Sequence, residues 1–128
     1  IYYTKQMRLC NKRQDSPEFS KPVYSCMDYI YNHLHEKISL QDLADYVALS
    51  PNYLATVFKK ETGETLQNYV IDRKVDAAKR MLIYSDYSLT EIGNYLAFSS
   101  TSHFIKVFKE KTGLTPGDYK KNSTRMSL

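Results

Sequence analysis

The chain writes one stretch of its sequence twice. The first copy runs Ser39-Leu40-Gln41-Asp42-Leu43-Ala44 through Ser50-Pro51-Asn52-Tyr53-Leu54 to Phe58-Lys59-Lys60-Glu61-Thr62-Gly63. The second runs Ser88-Leu89-Thr90-Glu91-Ile92-Gly93 through Ser99-Ser100-Thr101-Ser102-His103-Phe104 to Phe108-Lys109-Glu110-Lys111-Thr112-Gly113. The offset is 49 residues from Ser39/Ser88 to Ser50/Ser99 and 50 from Leu54/Phe104 onward, so one residue is inserted between. Tyr46/Tyr95, Ala48/Ala97, Val57/Val107, Thr65/Thr115 and Tyr69/Tyr119 match too. Such a repeat constrains architecture before anything else does. Two copies, each dense in helical signals, make a duplicated supersecondary unit and not a solenoid.

The helical signals are local and chemical. Ser39 with Asp42, and Ser88 with Glu91, read as capping boxes. Ser50-Pro51 places an N-cap serine before a first-turn proline, and Ser99 or Ser100 caps the matching helix. Gly63 and Gly113 stand where helix C-termini take glycine. Leu40, Leu43, Ala44 and Val47 are expected to be buried in the first copy, followed by Leu54, Val57 and Phe58. Leu89, Ile92, Tyr95 and Leu96, then Phe104, Val107 and Phe108, are expected to be buried in the second. Between the copies, Thr65 opens the longest helix, to about Tyr84, with Arg73, Lys74, Lys79 and Arg80 spreading positive charge along it. At 1.5 Å per residue it is a rod of about 30 Å.

Outside the repeat, Ser20 and Pro22 open a helix over about Lys21 to His35, with Val23, Cys26, Met27, Ile30 and Leu34 as its apolar stripe. Thr115-Pro116 opens a last short helix through Tyr119, and a polar tail follows. Residues 14–20 read as a linker. In residues 1–13, Tyr3, Met7 and Cys10 have helical spacing, which fits either the tail of an upstream helix or a frayed terminus. No stretch alternates as a strand does. The fold class expected is all-α: about seven helices, with two helix-turn-helix subdomains bridged by a long central helix.

Charge and cysteine usage narrow the function. The net charge is +4, and all of the excess lies in residues 50–128, which hold twelve Lys/Arg against eight Asp/Glu. A localised basic surface suits a polyanion. No apolar run approaches a membrane span. Two cysteines form no disulfide framework, and the histidines are not grouped with other ligands at metal spacing, so neither a metal nor a cofactor is expected. The start at Ile1 without a secretory pattern reads as a fragment of a longer cytoplasmic protein. Tyr46, Tyr69, Tyr95 and Tyr119 occupy matched repeat positions and are read as core, against the sharper idea of base stacking.

A short helix, a tight turn and a second helix form the pattern whose second helix enters the major groove of DNA. Opposite the apolar stripe, the first copy shows Asn52, Ala55, Thr56 and Lys59. The second shows Thr101, Ser102, Ile105, Lys106 and Lys109. Small polar residues can approach base edges, while lysines and free N–H groups at helix ends suit phosphates. A rod of about 30 Å could set the two helices near one turn of B-DNA apart, about 34 Å.

From about Lys21 to Tyr119 the chain resembles the C-terminal DNA-binding domain of AraC/XylS-family transcription regulators. The residues that carry this are Leu43-Ala44, Leu49 to Leu54, Phe58 to Gly63, Tyr69, Arg73-Lys74, Ala77, Leu82, Ile92-Gly93, Phe98-Ser99, Phe104, Val107 to Lys109, Gly113 to Pro116 and Tyr119. The resemblance implies sequence-specific binding to double-stranded promoter DNA, contact with RNA polymerase and activation of transcription. It implies base-facing roles for Asn52, Ala55, Thr56, Thr101, Ser102, Ile105 and Lys106. Ser50, Lys59, Arg73, Ser100 and Lys109 are assigned to phosphates. Residues 1–20 would be a linker or the remnant of an upstream sensing or dimerisation domain. Residues 21–64 form the first subdomain, 65–85 the bridge, 86–121 the second subdomain and 122–128 a tail. Two departures from the family pattern stand out. Thr56 occupies a position often held by arginine, and Ala97 occupies a turn position usually held by glycine. The alternative is a helix-turn-helix scaffold that serves mainly as a protein-interaction module. No catalytic arrangement is readable, and Asp72 and Asp76 read as surface ion pairs beside Arg73 and Arg80.

Overall fold

The protein, seen in a computed structural model, is described over residues 18–127, with side-chain detail to Ser123. The expectations for residues 1–13, and for residues 14–17 of the predicted linker, lie outside the described residues. Those described form seven helices and no strand: α1 Lys21–Asn32, α2 Leu40–Val47, α3 Pro51–Thr62, α4 Leu66–Tyr84, α5 Leu89–Tyr95, α6 Thr101–Thr112 and α7 Pro116–Ser127.

The helix starts follow the capping chemistry. Ser39 Oγ accepts from the Asp42 N–H at 3.0 Å while Asp42 Oδ2 accepts from the Ser39 N–H at 3.2 Å. Ser88 and Glu91 make the same reciprocal pair at 3.1 and 2.8 Å. Each pair satisfies two of the N–H groups that a helix start leaves without partners. Gly63 and Gly113 end α3 and α6 at φ of 88° and 85°, the left-handed region that glycine enters without strain. Ser20 stands at the N-cap of α1 but makes no capping bond; its N–H instead donates to Glu61 Oε1 at 2.7 Å. Helix α1 ends three residues before the expected His35. Asn32 Nδ2 donates to Asp28 O, and His33 Nδ1 lies 2.7 Å from Tyr29 O, so side chains occupy carbonyls of the last turn. Helix α7 runs past Tyr119 to Ser127 because no glycine or proline interrupts it there.

Two apolar cores share α4. The first gathers Val23, Cys26 and Ile30 of α1, Leu43 and Ala44 of α2, Leu54 and Phe58 of α3, and Leu66, Tyr69 and Val70 of α4. The second gathers Val75, Ala78 and Leu82 of α4 with Ile92, Leu96, Phe98, Phe104, Val107 and Phe108. Leu34 packs against both. Helix α4 thus closes the first copy with its N-terminal half and backs the second with its C-terminal half. Repeat fidelity reaches the ring contacts. Phe58 meets Tyr69 edge-on at 5.3 Å and 71°, and their counterparts Phe108 and Tyr119 do so at 5.5 Å and 76°.

Four burial expectations change. Tyr46 and Tyr95 are exposed, because the last turn of each short helix turns them outward. Tyr46 leans on the Tyr29 ring at 4.9 Å and Tyr95 on the His35 ring at 6.1 Å, both at the surface. Leu40, at the first turn of α2, is also exposed. Lys74 is not part of the surface charge on α4: it is 6% exposed and the only buried charged residue among those described.

Candidate nucleic-acid interface

Each helix pair turns on an alanine. Ala48 and Ala97 have φ of 60° and 63°, the left-handed region where a Cβ is strained by about 1 kcal/mol. The turns close alike: the Leu49 N–H donates to Ala44 O at 3.0 Å, and the Phe98 N–H donates to Gly93 O at 2.9 Å. The departure at Ala97 therefore changes no geometry, since the first copy carries the same alanine. The inserted residue is Ser99, which lies after the turn. The cap of α6 is Ser100, whose Oγ accepts from the His103 N–H at 3.0 Å; in α3 Ser50 Oγ accepts from the Tyr53 N–H at 3.2 Å. Aligned on their caps, Asn52 matches Ser102, Tyr53 matches His103, Ala55 matches Ile105, Thr56 matches Lys106 and Lys59 matches Lys109.

The fully buried Leu54 and Phe58 anchor α3, and Phe104 and Phe108 anchor α6. What remains outward is the predicted face. Asn52, Thr56 and Lys59 are exposed and Ala55 is half-buried. Ser102, Lys106 and Lys109 are exposed, while Thr101 and Ile105 are half-buried. Thr56 Oγ1 donates to Asn52 O at 2.9 Å, which ties the hydroxyl to its own helix. Thr101 Oγ1 lies 3.3 Å from Thr90 Oγ1 on α5, and Ile105 leans on the second core. Lys59 and Lys109 occupy the last turns of their helices.

Four of the five phosphate candidates therefore sit at the ends of α3 and α6. Arg73 does not. It lies on α4, half-buried, bound to Asp76 at 3.0 Å and stacked 5.0 Å from the Tyr69 ring centroid. It lines a cavity with Met27, Tyr31 and Leu34 of the α1 side. Sequence reasoning overlooked Tyr53 and His103, exposed in the first turn of both outer faces. Their matched place in the repeat was the available signal.

The fold and these faces define a tandem helix-turn-helix unit with two outward second helices. A helix-turn-helix domain family model matches residues 43–122, and the chain belongs to this AraC-type helix-turn-helix family. It is 36% identical over 97 residues to the uncharacterized HTH-type transcriptional regulator YobQ of Bacillus subtilis, covering 76% of this chain and 40% of that protein. It is 36% identical over 108 residues to the regulatory protein PocR of Salmonella typhimurium, covering 84% of this chain and 35% of that protein. The chain thus spans well under half the length of these curated relatives. The DNA-binding domain of the global transcriptional factor AdpA, solved in complex with a target DNA, superposes with a TM-score of 0.76 at 27% identity, over 80% of this chain and 93% of that one. Among the described residues, no helix is long and apolar enough to cross a membrane.

Proposed function

We propose that this chain is the DNA-binding part of a longer cytoplasmic transcription regulator, and that α3 and α6 enter successive major grooves of double-stranded promoter DNA. The observation that carries the reading is the pair of cap-aligned outer faces on one repeat, set apart by the 19-residue α4. That helix spans about 28 Å at 1.5 Å per residue, close to one turn of B-DNA at about 34 Å.

Base reading falls to Asn52, Ala55 and Thr56 on α3 and to Thr101, Ser102, Ile105 and Lys106 on α6. Lys106 can donate to guanine O6 and N7, Asn52 can pair with adenine, and Ala55 and the Thr56 methyl can meet thymine methyls. Ser50, Ser100, Lys59 and Lys109 hold phosphates with the N–H groups of the first turns. Arg73 contributes less, because Asp76 already holds its guanidinium. Activation through RNA polymerase, sensing, and dimerisation through an upstream domain belong to the same reading and rest on the family alone. The comparisons offer no support for a helix-turn-helix scaffold that serves mainly as a protein-interaction module, and the family is one of regulators and not of enzymes.

Gel shifts on duplexes selected from a random pool, repeated at several salt concentrations, test this. The expected result is a preferred site over random DNA and a steep fall of affinity with salt. Equal affinity for every duplex contradicts it.

A further inference from the structure

Two cores could slide against each other along a shared helix, since apolar contact is non-directional. At the boundary between them, where α4 passes from Val70 to Val75, stands Lys74. Its ammonium donates to three carbonyl oxygens: Leu34 O at 2.6 Å, Glu36 O at 2.9 Å and Leu96 O at 2.6 Å. Leu34 and Glu36 belong to the segment leaving α1, in the first subdomain. Leu96 is the C-cap of α5, in the second. All three N–H donors of the ammonium are thus spent, and they are divided between the two halves. Charge-assisted hydrogen bonds are short and directional, so one arrangement of the three carbonyls satisfies the buried charge and others leave it unpaired. The Leu96 carbonyl lies at the end of α5, where a helix favours a cation.

We propose that Lys74 is the positioning residue that fixes how the two recognition helices stand relative to each other, and so which half-site spacing the protein accepts. This rests on the reading that both α3 and α6 meet DNA, but its structural arm does not need DNA. Lys111 offers an internal comparison. It also joins the halves, from α6 to Asp72 at 3.0 Å and to Asn68 at 2.6 Å on α4, but at an exposed site where such pairs contribute little.

The test uses the whole chain with nitroxide labels at Lys60→Cys and Glu110→Cys, both exposed, in a Cys10→Ser background. Cys26 stays unlabelled: it is fully buried, and burial pushes its thiol up to about 11. Pulsed dipolar spectroscopy without DNA then reports the distance between α3 and α6. The wild type should give one narrow distribution, Lys74→Met one at least about twice as broad, and Lys111→Met little change. Without labels, Lys74→Met should lose about tenfold in affinity for a selected duplex with two half-sites one turn apart. It should stay within about twofold of wild type on a duplex with one half-site scrambled, and its dependence on spacing should flatten. Lys74→Gln, neutral but still a donor, should fall between and carries the test if Lys74→Met does not fold. A folded Lys74→Met or Lys74→Gln protein with wild-type distance width and spacing preference overturns the proposal. A wild-type protein that prefers no duplex overturns the DNA reading instead and leaves the distance result standing.

Discussion

In the first copy, the outer face of the second helix carries Asn52, Ala55 and Thr56; in the second copy, the same positions carry Ser102, Ile105 and Lys106. Beneath those faces the copies agree closely. Caps, left-handed alanines, closing glycines and edge-on Phe–Tyr pairs recur with nearly the same geometry. One interior difference is local: Ala44 is matched by buried Gly93, where an added Cβ would come within 3.3 Å of Phe104 Cβ. The duplicated frame changes chemical character on the side it presents and keeps apolar character on the side it buries, where Leu43 and Leu54 give way to Ile92 and Phe104. Lys106 gives the second copy a long charged donor, while the first has a threonine whose hydroxyl is tied to its own helix. On this account the second copy does more of the base reading and the first more of the positioning.

The largest effects should break the comparison of frames, if it can be broken. Phe58→Ala and Phe108→Ala each empty a fully buried site and should each lower unfolding free energy by about 3–5 kcal/mol, measured by urea denaturation. A much smaller loss in one copy would mean that the two cores are not equivalent. The comparison of faces is next. Lys106→Ala should weaken binding to a selected duplex by about 1–3 kcal/mol and relax preference at one base pair, whereas Thr56→Ala should stay below about 1 kcal/mol. Lys59→Ala and Lys109→Ala should weaken binding alike on all sequences and make the salt slope shallower by about one unit each. Ala48→Gly and Ala97→Gly should each stabilise the protein by up to about 1 kcal/mol, equally, because both relieve the same left-handed alanine.

A pH comparison separates Lys74 from the rest of the frame. Burial draws its ammonium down to about 8, against the Glu36 carboxylate, which raises it. Above that value the unfolded chain binds the proton more readily than the folded one, since a free lysine titrates near 10.4. The burden of the buried charge is therefore present in full below pH 8 and relieved between about 8 and 10.4. Unfolding free energy measured against pH should rise for the wild type relative to Lys74→Met across that window.

Much of this was legible because the signals were local. A serine three residues before an acid, or a glycine after an apolar stripe, fixes a helix end with its nearest neighbours alone, and Ser39, Ser88, Gly63 and Gly113 all behave so. The outer faces followed from the apolar stripe by elimination. Burial decided across the chain was not legible. Tyr46 and Tyr95 match in the repeat, but matching shows equal environments and not buried ones. Lys74 looks like its charged neighbours Arg73 and Lys79, and only the approach of Leu34 and Glu36 from one segment and Leu96 from another distinguishes it. The sequence predicts that α7 ends at Tyr119, because the polar residues after it resemble a tail, although nothing there stops a helix and it runs to Ser127.

The central claim is that both copies meet DNA and read it unequally. Selection of bound duplexes from a random pool, with the wild type and with Lys106→Ala, tests it most directly. The account predicts two half-sites about ten base pairs apart. The half-site that loses its base preference in Lys106→Ala should be the more sharply defined one. A single half-site, or two whose preferences are both unchanged by Lys106→Ala, would contradict it.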